Sequence, residues 1–345
     1  MKKLLVLVLV VLVLGAAGAA GWWWFNEQRI TEFAAGSWGS GTRVVEIPAG
    51  TNPKGVAKLL AEAKVVADAD LMYAWLKREK LGPKLRAGEY EFVGPLTPPQ
   101  VTEKITSGQV KLYRFTVPEG LRVDEILPIL AASELKLDLG KLKQLAATPA
   151  FVRKAGVPAD GLEGFLLPDT YSFQKGATEE QVLTKMVSRT IEEFKKAPRK
   201  PGVKFNLLEA ITMASIIEKE TGASELDQRS HISCVFHNRL RDNWRLDTDP
   251  TVIYAMMLKN GVYSKNIRVS DLQMEHPYNT YRNKGLPPGP IASPGVAAIH
   301  AALNPMDCKD YFFVSRNDGT SVFCPDMKCH EAAVDKYQRQ GRSQK

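Results

Sequence analysis

The chain has 345 residues, of which 44% are hydrophobic and 24% are charged, and its formal net charge is +8. This length suffices for two domains of ordinary size, and this composition excludes a largely disordered chain. The basic balance favours anionic partners such as lipid headgroups or an acidic cell-wall polymer. No run of Lys and Arg with interleaved aromatic residues indicates a nucleic-acid-binding surface, so we expect no nucleic-acid partner.

The N-terminus carries a long uncharged segment. Leu4 to Phe25 would span about 33 Å as a helix, which is enough for a bilayer core of about 30 Å. Lys2 and Lys3 precede the segment and favour a cytoplasmic N-terminus, and Trp22 to Trp24 lie where indole rings prefer the membrane interface. The sequence therefore predicts a single-pass anchor over residues 1–25 in the cytoplasmic (inner) membrane.

A cleaved signal peptide is the alternative interpretation of the same segment. Ala16 to Ala20 offers small residues at which a signal peptidase could cut. Both interpretations export the remainder of the chain, so we expect that remainder to be extracytoplasmic.

Residues 26–42 contain three glycines and little periodicity, which predicts an irregular linker. Residues 43–112 then contain a predicted strand at Arg43–Ile47, two helices, and a second strand at Gly88–Phe92. This βααβ order is that of a small LysM-like module, which binds peptidoglycan glycan. A module that serves only for packing is the alternative.

A weak internal repeat marks the next domain. Glu46–Gly50 and Thr116–Gly120 each carry an apolar residue, a proline and a glycine in a turn between a predicted strand and a helix. We place a domain boundary near Leu112, so that residues 113–345 form a larger domain of alternating helices and short strands. The fold class predicted for the whole chain is α+β.

The four cysteines leave their pairing open. Disulfides among Cys308, Cys324 and Cys329 suit an exported protein, whereas buried free thiols are the alternative. The cysteines and the five histidines do not complete a zinc-site pattern, so we expect no metal.

The most informative segment is Asn206–Thr221. Asn206 and Glu209 form a capping-box pattern, Gly222 can end the helix, and the intervening residues are apolar on almost every face. Glu218 lies near the end of this helix. Burial disfavours the charged form of a carboxyl group and raises its pKa, which is what a general acid at neutral pH requires. A solvated Glu218 paired with a nearby Lys or Arg is the alternative.

Three further segments are rich in groups that bind sugars. They are Asp160–Phe173, Asn238–Tyr254 and the proline-rich loop His276–Pro294. Aromatic rings stack on sugar faces, and amides and carboxylates bind hydroxyl and N-acetyl groups. The candidate substrate-binding residues are Asp169, Tyr171, Asn238, Asp249, Tyr278, Asn279 and Tyr281. Structural turns with a tyrosine in the core are the alternative for such a loop.

Several of these motifs together resemble the endolytic murein transglycosylase (YceG-like) family. The motifs follow the family's order and cover roughly residues 43–337. They are Leu162–Tyr171 (LEGFLLPDTY), Ser215–Thr221 (SIIEKET), Asp249–Tyr254 (DPTVIY), Tyr278–Tyr281 (YNTY) and Gly285–Ile291 (GLPPGPI). One departure is Ser321, where many relatives carry a histidine.

The resemblance implies a membrane-anchored lytic transglycosylase that needs no cofactor. Such an enzyme cleaves the β-1,4 bond between N-acetylmuramic acid and N-acetylglucosamine in peptidoglycan, and leaves a 1,6-anhydro end. Glu218 falls on the family's catalytic glutamate. The resemblance also implies association with peptidoglycan synthases and a role in limiting the length of new glycan strands.

Two other functions remain open at this stage. A muramidase that uses water needs a second carboxylate, which Glu163, Asp169, Asp247 or Asp249 could supply. A non-catalytic glycan-binding scaffold of the cell-wall synthesis machinery needs no acid at all. A metalloprotease is excluded by the absence of a His-Glu-x-x-His motif.

Overall fold

The structure is a computed structural model that describes residues 2–221, 228–261, 263–264 and 266–339. The chain divides into two compact units. Unit 1 comprises Met1–Tyr113 and Phe173–Gly176, and unit 2 comprises Arg114–Ser172 and Ala177–Lys345. The described residues have the mixed α+β character expected from the sequence, with short two-stranded sheets among many helices.

The first helix, α1 (Lys2–Ala35), is longer than the predicted anchor. It is long and apolar enough to cross a membrane, and it is the one such helix in the described part of the chain. The prediction of an irregular linker from residue 26 is wrong for the part up to Ala35. Ile30 and Phe33 are buried, and Phe33 belongs to the hydrophobic core of unit 1, so packing stabilises the extra turns.

Unit 1 has the strand–helix–helix–strand order that the sequence predicts. The elements are β1 (Thr42–Ile47), α2 (Pro53–Glu62), α3 (Ala69–Arg78) and β2 (Gly88–Val93), followed by α4 (Pro98–Ser107). Strands β1 and β2 pair antiparallel, with Val45 opposite Tyr90. Asn52 and Asp68 cap the two helices by accepting backbone N–H bonds, as short polar side chains do at helix starts.

Unit 2 contains most of the helices. Two segments connect it to unit 1 along the chain. The joining segments are β3 (Leu112–Thr116) and β4 (Thr170–Gln174), which pair with each other. The remaining elements are α5 (Val123–Ala131), α6 (Leu139–Ala146), α7 (Pro149–Lys154), α8 (Glu179–Lys196), α9 (Leu207–Glu220), α10 (Arg229–Arg241), α11 (Asp249–Asn260), α12 (Val269–Leu272), α13 (Val296–Leu303), β5 (Phe312–Ser315), β6 (Ser321–Cys324) and α14 (Met327–Val334).

Helix α9 is the central element of unit 2. Every residue from Ala210 to Glu218 is buried, and α8, α10, α11 and α13 all pack against the helix. The predicted capping box is confirmed, because the Asn206 side chain accepts the Glu209 N–H and the Glu209 carboxylate accepts the Asn206 N–H. The predicted stop at Gly222 lies outside the described residues.

Two disulfides join the four cysteines. Cys234 pairs with Cys308, and Cys324 pairs with Cys329. The expected set omitted Cys234, which lies on α10, 74 residues before its partner in the sequence. The first bond links α10 to a segment 74 residues away in the sequence, which removes much of the freedom of the unfolded chain.

Candidate active site

Helix α9 delivers Glu218 into a nearly dry environment, since the residue is only 8% exposed. The segment Ile291–Gly295 runs beside the helix. The Ser215 hydroxyl accepts the Ile291 N–H at 3.1 Å, and the Glu218 Oε2 atom accepts the Gly295 N–H at 3.1 Å. Gly295 is the N-cap of α13, so the carboxyl group faces the positive end of a helix.

Burial raises the pKa of the Glu218 carboxyl, and this is the largest influence on it. The Gly295 N–H and the Arg229 guanidinium act in the opposite direction, while the nearby Glu119 carboxylate raises the pKa further. Arg229 approaches through a single nitrogen, Nη2, at 3.4 Å from Oε1, so the contact is not bidentate. The net effect favours a protonated Glu218, as a general acid requires.

Glu119 reaches this site from the turn that ends the second copy of the sequence repeat. Gly120 donates its N–H to the Ser293 carbonyl at 2.9 Å, and Ser293 donates to the Leu121 carbonyl at 2.8 Å. The Glu119 side chain lies directly against Gly295. A Cβ atom at Gly295 would meet the Glu119 Oε1 atom at 1.9 Å, so any larger residue here would displace the Glu119 carboxylate from its present position.

Asp249 and Tyr281 lie together in a cavity of about 610 Å³. The Tyr281 hydroxyl donates to Asp249 Oδ1 at 2.8 Å. Glu220, two residues beyond Glu218 on α9, lines the same cavity with its carboxylate bonded to the Thr248 hydroxyl. The wall also includes Ser321, which replaces the family histidine, together with aromatic rings of β5.

Tyr278 lies in a second cavity of about 560 Å³, beside Glu163. The Glu163 carboxylate accepts the Val123 N–H at 3.2 Å and faces the Tyr254 hydroxyl at 3.5 Å. Burial raises the pKa of Glu163 to about 7. Close packing shapes the floor of this region, because a Cβ atom at Gly164 would lie 2.3 Å from Pro290.

Asn238 and Asn279 are buried, and their side chains bond within the protein. The Asn238 amide donates to the Cys308 and Asp310 carbonyls, and the Asn279 amide donates to the Leu272 and Met274 carbonyls. An Asn amide suits this role because one group can join two loop carbonyls. In this structure both amides therefore hold loop backbone in place, and their contact with glycan stays a prediction.

Tyr171 and Asp169 are likewise engaged within the fold. The buried Tyr171 donates its hydroxyl to the Leu167 carbonyl and stacks on Phe115. The exposed Asp169 accepts the Thr170 N–H and lies 3.5 Å from Arg189. The sequence-predicted polar residues thus fall into separate places, whereas we expected a single cleft.

Arg229, Glu119 and Gly295 were missed by sequence reasoning. Glu119 and Gly295 are distant from Glu218 along the chain, Arg229 follows it by 11 residues, and none of the three lies in a motif dense in polar groups. The repeated turn that ends in Gly120 was the one available signal for Glu119. Glu119 follows a proline in this turn, so the backbone that carries its carboxylate is rigid.

The described residues offer one group with the geometry of a metal site, namely His231, Cys308 and Asp310. Cys308 is bound in a disulfide and so offers no thiolate. His231 Nε2 already contacts Asp310 at 2.7 Å, and its ring stacks on Phe323. This donor set does not fit a metal ion.

A buried carboxyl group of raised pKa, next to one cation and one backbone N–H donor, defines a site for general acid–base chemistry in an α+β protein. The chain belongs to the YceG-like family, whose model matches residues 45–336. This match confirms the resemblance seen in the sequence motifs.

Relatives and a solved structure agree with this assignment. An endolytic murein transglycosylase of Bacillus subtilis is 32% identical over 315 residues, covering 85% of this chain and 84% of the relative. A protein of the same name from Streptococcus pneumoniae is 25% identical over 324 residues, covering 84% of this chain and 57% of the relative. A crystal structure of a putative YceG-like protein from Listeria monocytogenes matches with a TM-score of 0.55 and 30% identity, covering 84% of this chain and 98% of that one.

The raised pKa of Glu218 predicts a pH-dependent effect of the substitution Glu218→Gln on stability. The folded state holds this proton above the unfolded value of 4.5, so wild-type stability falls as the pH rises from 4.5 to the folded pKa. Glutamine does not titrate. The unfolding temperature of Glu218→Gln should therefore rise relative to wild type with increasing pH, by about 2–4 °C per kcal/mol of relieved cost.

Thermal unfolding of both proteins between pH 4 and pH 8 measures this effect. Glu192→Gln is the control, since Glu192 is a half-exposed carboxylate paired with Arg189. A difference between wild type and Glu218→Gln that stays constant over this range would contradict the raised pKa.

Proposed function

We propose that the protein is a lytic transglycosylase that cleaves peptidoglycan glycan strands, with Glu218 as its one catalytic acid and base. The observation that carries the proposal is the Glu218 carboxyl itself, which is buried and favours its protonated form. The names of the curated relatives support the reaction class. The bond cleaved is the β-1,4 linkage from N-acetylmuramic acid to N-acetylglucosamine.

One carboxyl group suffices for this reaction. Glu218 first donates its proton to the leaving glycosidic oxygen as the bond to the muramyl anomeric carbon breaks. The muramyl C6 hydroxyl then attacks that carbon and gives its proton to the Glu218 carboxylate, which forms a 1,6-anhydro ring. The attack is intramolecular and needs no water. Between the two steps, the Gly295 N–H and Arg229 stabilise the transient carboxylate.

The cavity that contains Asp249 and Tyr281 supplies the glycan-binding surface in this proposal. It combines carboxylates with the aromatic rings of Tyr281, Phe312 and Phe313, which is the usual lining of a sugar site. Among the described residues that line it, Glu220 comes from the end of α9, whereas Glu218, two residues earlier, lies on another face of that helix. Tyr278 offers a further aromatic contact in the second cavity.

One observation favours the rival muramidase. Glu163 is a second carboxyl group with a raised pKa. Hydrolysis by water usually needs two carboxyl groups, one as the acid and the other as the base or nucleophile. Glu163 is, however, bonded to the start of α5 through the Val123 N–H, and it lines a cavity with Tyr278. We therefore assign Glu163 a structural role. The end groups of the products, anhydro or reducing, distinguish the two reactions.

The substitution Glu218→Gln tests the one-carboxylate reaction. Glutamine has nearly the same shape but can neither donate a carboxyl proton nor accept one, so turnover should fall by a factor of about 10²–10⁴. Purified glycan strands and mass spectrometry of the products measure the loss and the end groups. Wild type should yield 1,6-anhydro ends, and glycan binding should persist in the variant.

Asp249→Asn and Asp247→Asn are the matched comparisons for this test, and they should reduce turnover less than Glu218→Gln. An aspartate variant that folds normally and is as inactive as Glu218→Gln, together with reducing ends from wild type, would replace the transglycosylase with a muramidase. Full activity of Glu218→Gln would leave it without a catalytic role.

The βααβ part of unit 1 is proposed as a LysM-like module that binds glycan and takes no part in the chemistry. Its support is the element order and the antiparallel pairing of β1 with β2. Deleting residues 43–112 should weaken binding to insoluble peptidoglycan in a pull-down assay and leave some cleavage of soluble glycan fragments. Unchanged binding would reduce the module to a packing unit.

The proposed location is the cytoplasmic membrane, with a cytoplasmic N-terminus and the domains on the outer side. Helix α1 supports a single-pass anchor, and Lys2 and Lys3 support the orientation. There the enzyme would limit the length of new strands beside peptidoglycan synthases. N-terminal sequencing of the mature protein should find the chain uncleaved, whereas a start near Gly21 would indicate a signal peptide.

A further inference from the structure

Arg229 is a buried guanidinium with few hydrogen bonds. Its side chain is 5% exposed, and its Nε and Nη1 atoms are buried and have no hydrogen-bond partner among the described residues. The third nitrogen, Nη2, lies 3.4 Å from Glu218 Oε1 and 3.5 Å from Glu119 Oε2. One nitrogen is thus shared by two carboxyl groups at long hydrogen-bond distances. Electrostatic attraction, more than short hydrogen bonds, therefore offsets the positive charge of the guanidinium.

The two carboxyl groups that share Arg229 differ in their access to water. The Glu119 side chain is 46% exposed, whereas the Glu218 side chain is 7% exposed. Ionising a buried carboxyl costs more than ionising a hydrated one. Of the two carboxyl groups beside Arg229, the exposed Glu119 is therefore the one that can carry a negative charge at the lower cost, and burial favours the protonated form of Glu218 although a cation lies beside it.

The position of Glu119 is fixed by its surroundings. Its turn is bonded to Ser293 on one side, and the Lys219 ammonium donates to the Gly120 carbonyl at 3.1 Å on the other. Among the described residues, the groups that face Glu218 are Arg229 from α10, Glu119 from the turn and the Gly295 N–H from α13. Glu119 is the one anion in this set.

We propose that Glu119 is a positioning residue for the acid step, which shares the Arg229 Nη2 atom with Glu218 and offsets the charge of that guanidinium beside the Glu218 carboxyl. This inference rests on the proposed function. When Glu218 has given its proton to the leaving oxygen, the Arg229 Nη2 atom stabilises the new carboxylate. When the C6 hydroxyl returns a proton, the arginine is again balanced by Glu119.

The substitution Glu119→Gln separates this role from a structural one. Without the Glu119 charge, Glu218 is the remaining anion beside Arg229 among the described residues, and the arginine stabilises the ionised form of the acid. As the pH rises, the loss of activity should then begin at a lower pH in Glu119→Gln than in wild type. The ratio of kcat/KM at pH 8 to kcat/KM at pH 5 should be about tenfold smaller in Glu119→Gln than in wild type.

Two further variants serve as controls. Glu119→Asp keeps the charge and should retain a pH profile close to that of wild type. Glu192→Gln removes another carboxylate that is 46% exposed and paired with an arginine, and it should not change the ratio. An equal loss at both pH values in Glu119→Gln, or no loss, would overturn the proposal.

A second measurement does not depend on activity. The pH-dependent gain in unfolding temperature on Glu218→Gln should be smaller when Glu119→Gln is also present, because the acid then titrates at lower pH. An equal gain with and without Glu119→Gln would overturn the role of Glu119 even in an active enzyme. A wild-type protein that forms no anhydro ends would instead overturn the proposed function, and the unfolding data would still decide the role of Glu119.

Discussion

The burial of one carboxyl group constrains the rest of unit 2. Ionising Glu218 costs free energy, because the helix that carries it is packed on nearly all sides. The carboxyl group must therefore either keep its proton or lie next to a compensating cation. The structure places both a cation and an anion nearby, since Arg229 Nη2 lies 3.4 Å from Glu218 Oε1 and 3.5 Å from Glu119 Oε2. The surroundings of the Glu218 carboxyl therefore come from three separate elements.

Bringing these elements together requires close packing along α9. At Gly164 the backbone lies so close to Pro290 that a Cβ atom would clash with the proline ring. At Gly295 the backbone lies equally close to the Glu119 side chain. The proline-rich loop serves this purpose as well, because a stiff segment can follow a helix without regular hydrogen bonds of its own. The Ser215 hydroxyl, which accepts the Ile291 N–H, fixes the loop to the helix midway along its length.

Local patterns predicted local structure well. The capping box at Asn206, the apolar faces of α9 and the order of elements in unit 1 all follow from short-range rules. Contacts between distant segments were not predictable in this way. Arg229 and Glu119 meet Glu218 only through the fold. The sequence likewise cannot show that the Asn238 amide donates to two carbonyls of one loop, at Cys308 and Asp310, because these lie 70 residues or more further along the chain.

The continuity of α1 fixes the spacing between its apolar segment and the folded body of unit 1. The helix continues for ten residues beyond Phe25, to Ala35, a rise of about 15 Å, and Ile30 and Phe33 on this stretch are buried in the folded body. A flexible tether would let the two parts move independently of each other. A continuous helix holds them at a fixed separation and orientation, so a force or a constraint on the apolar segment is passed directly to the folded body.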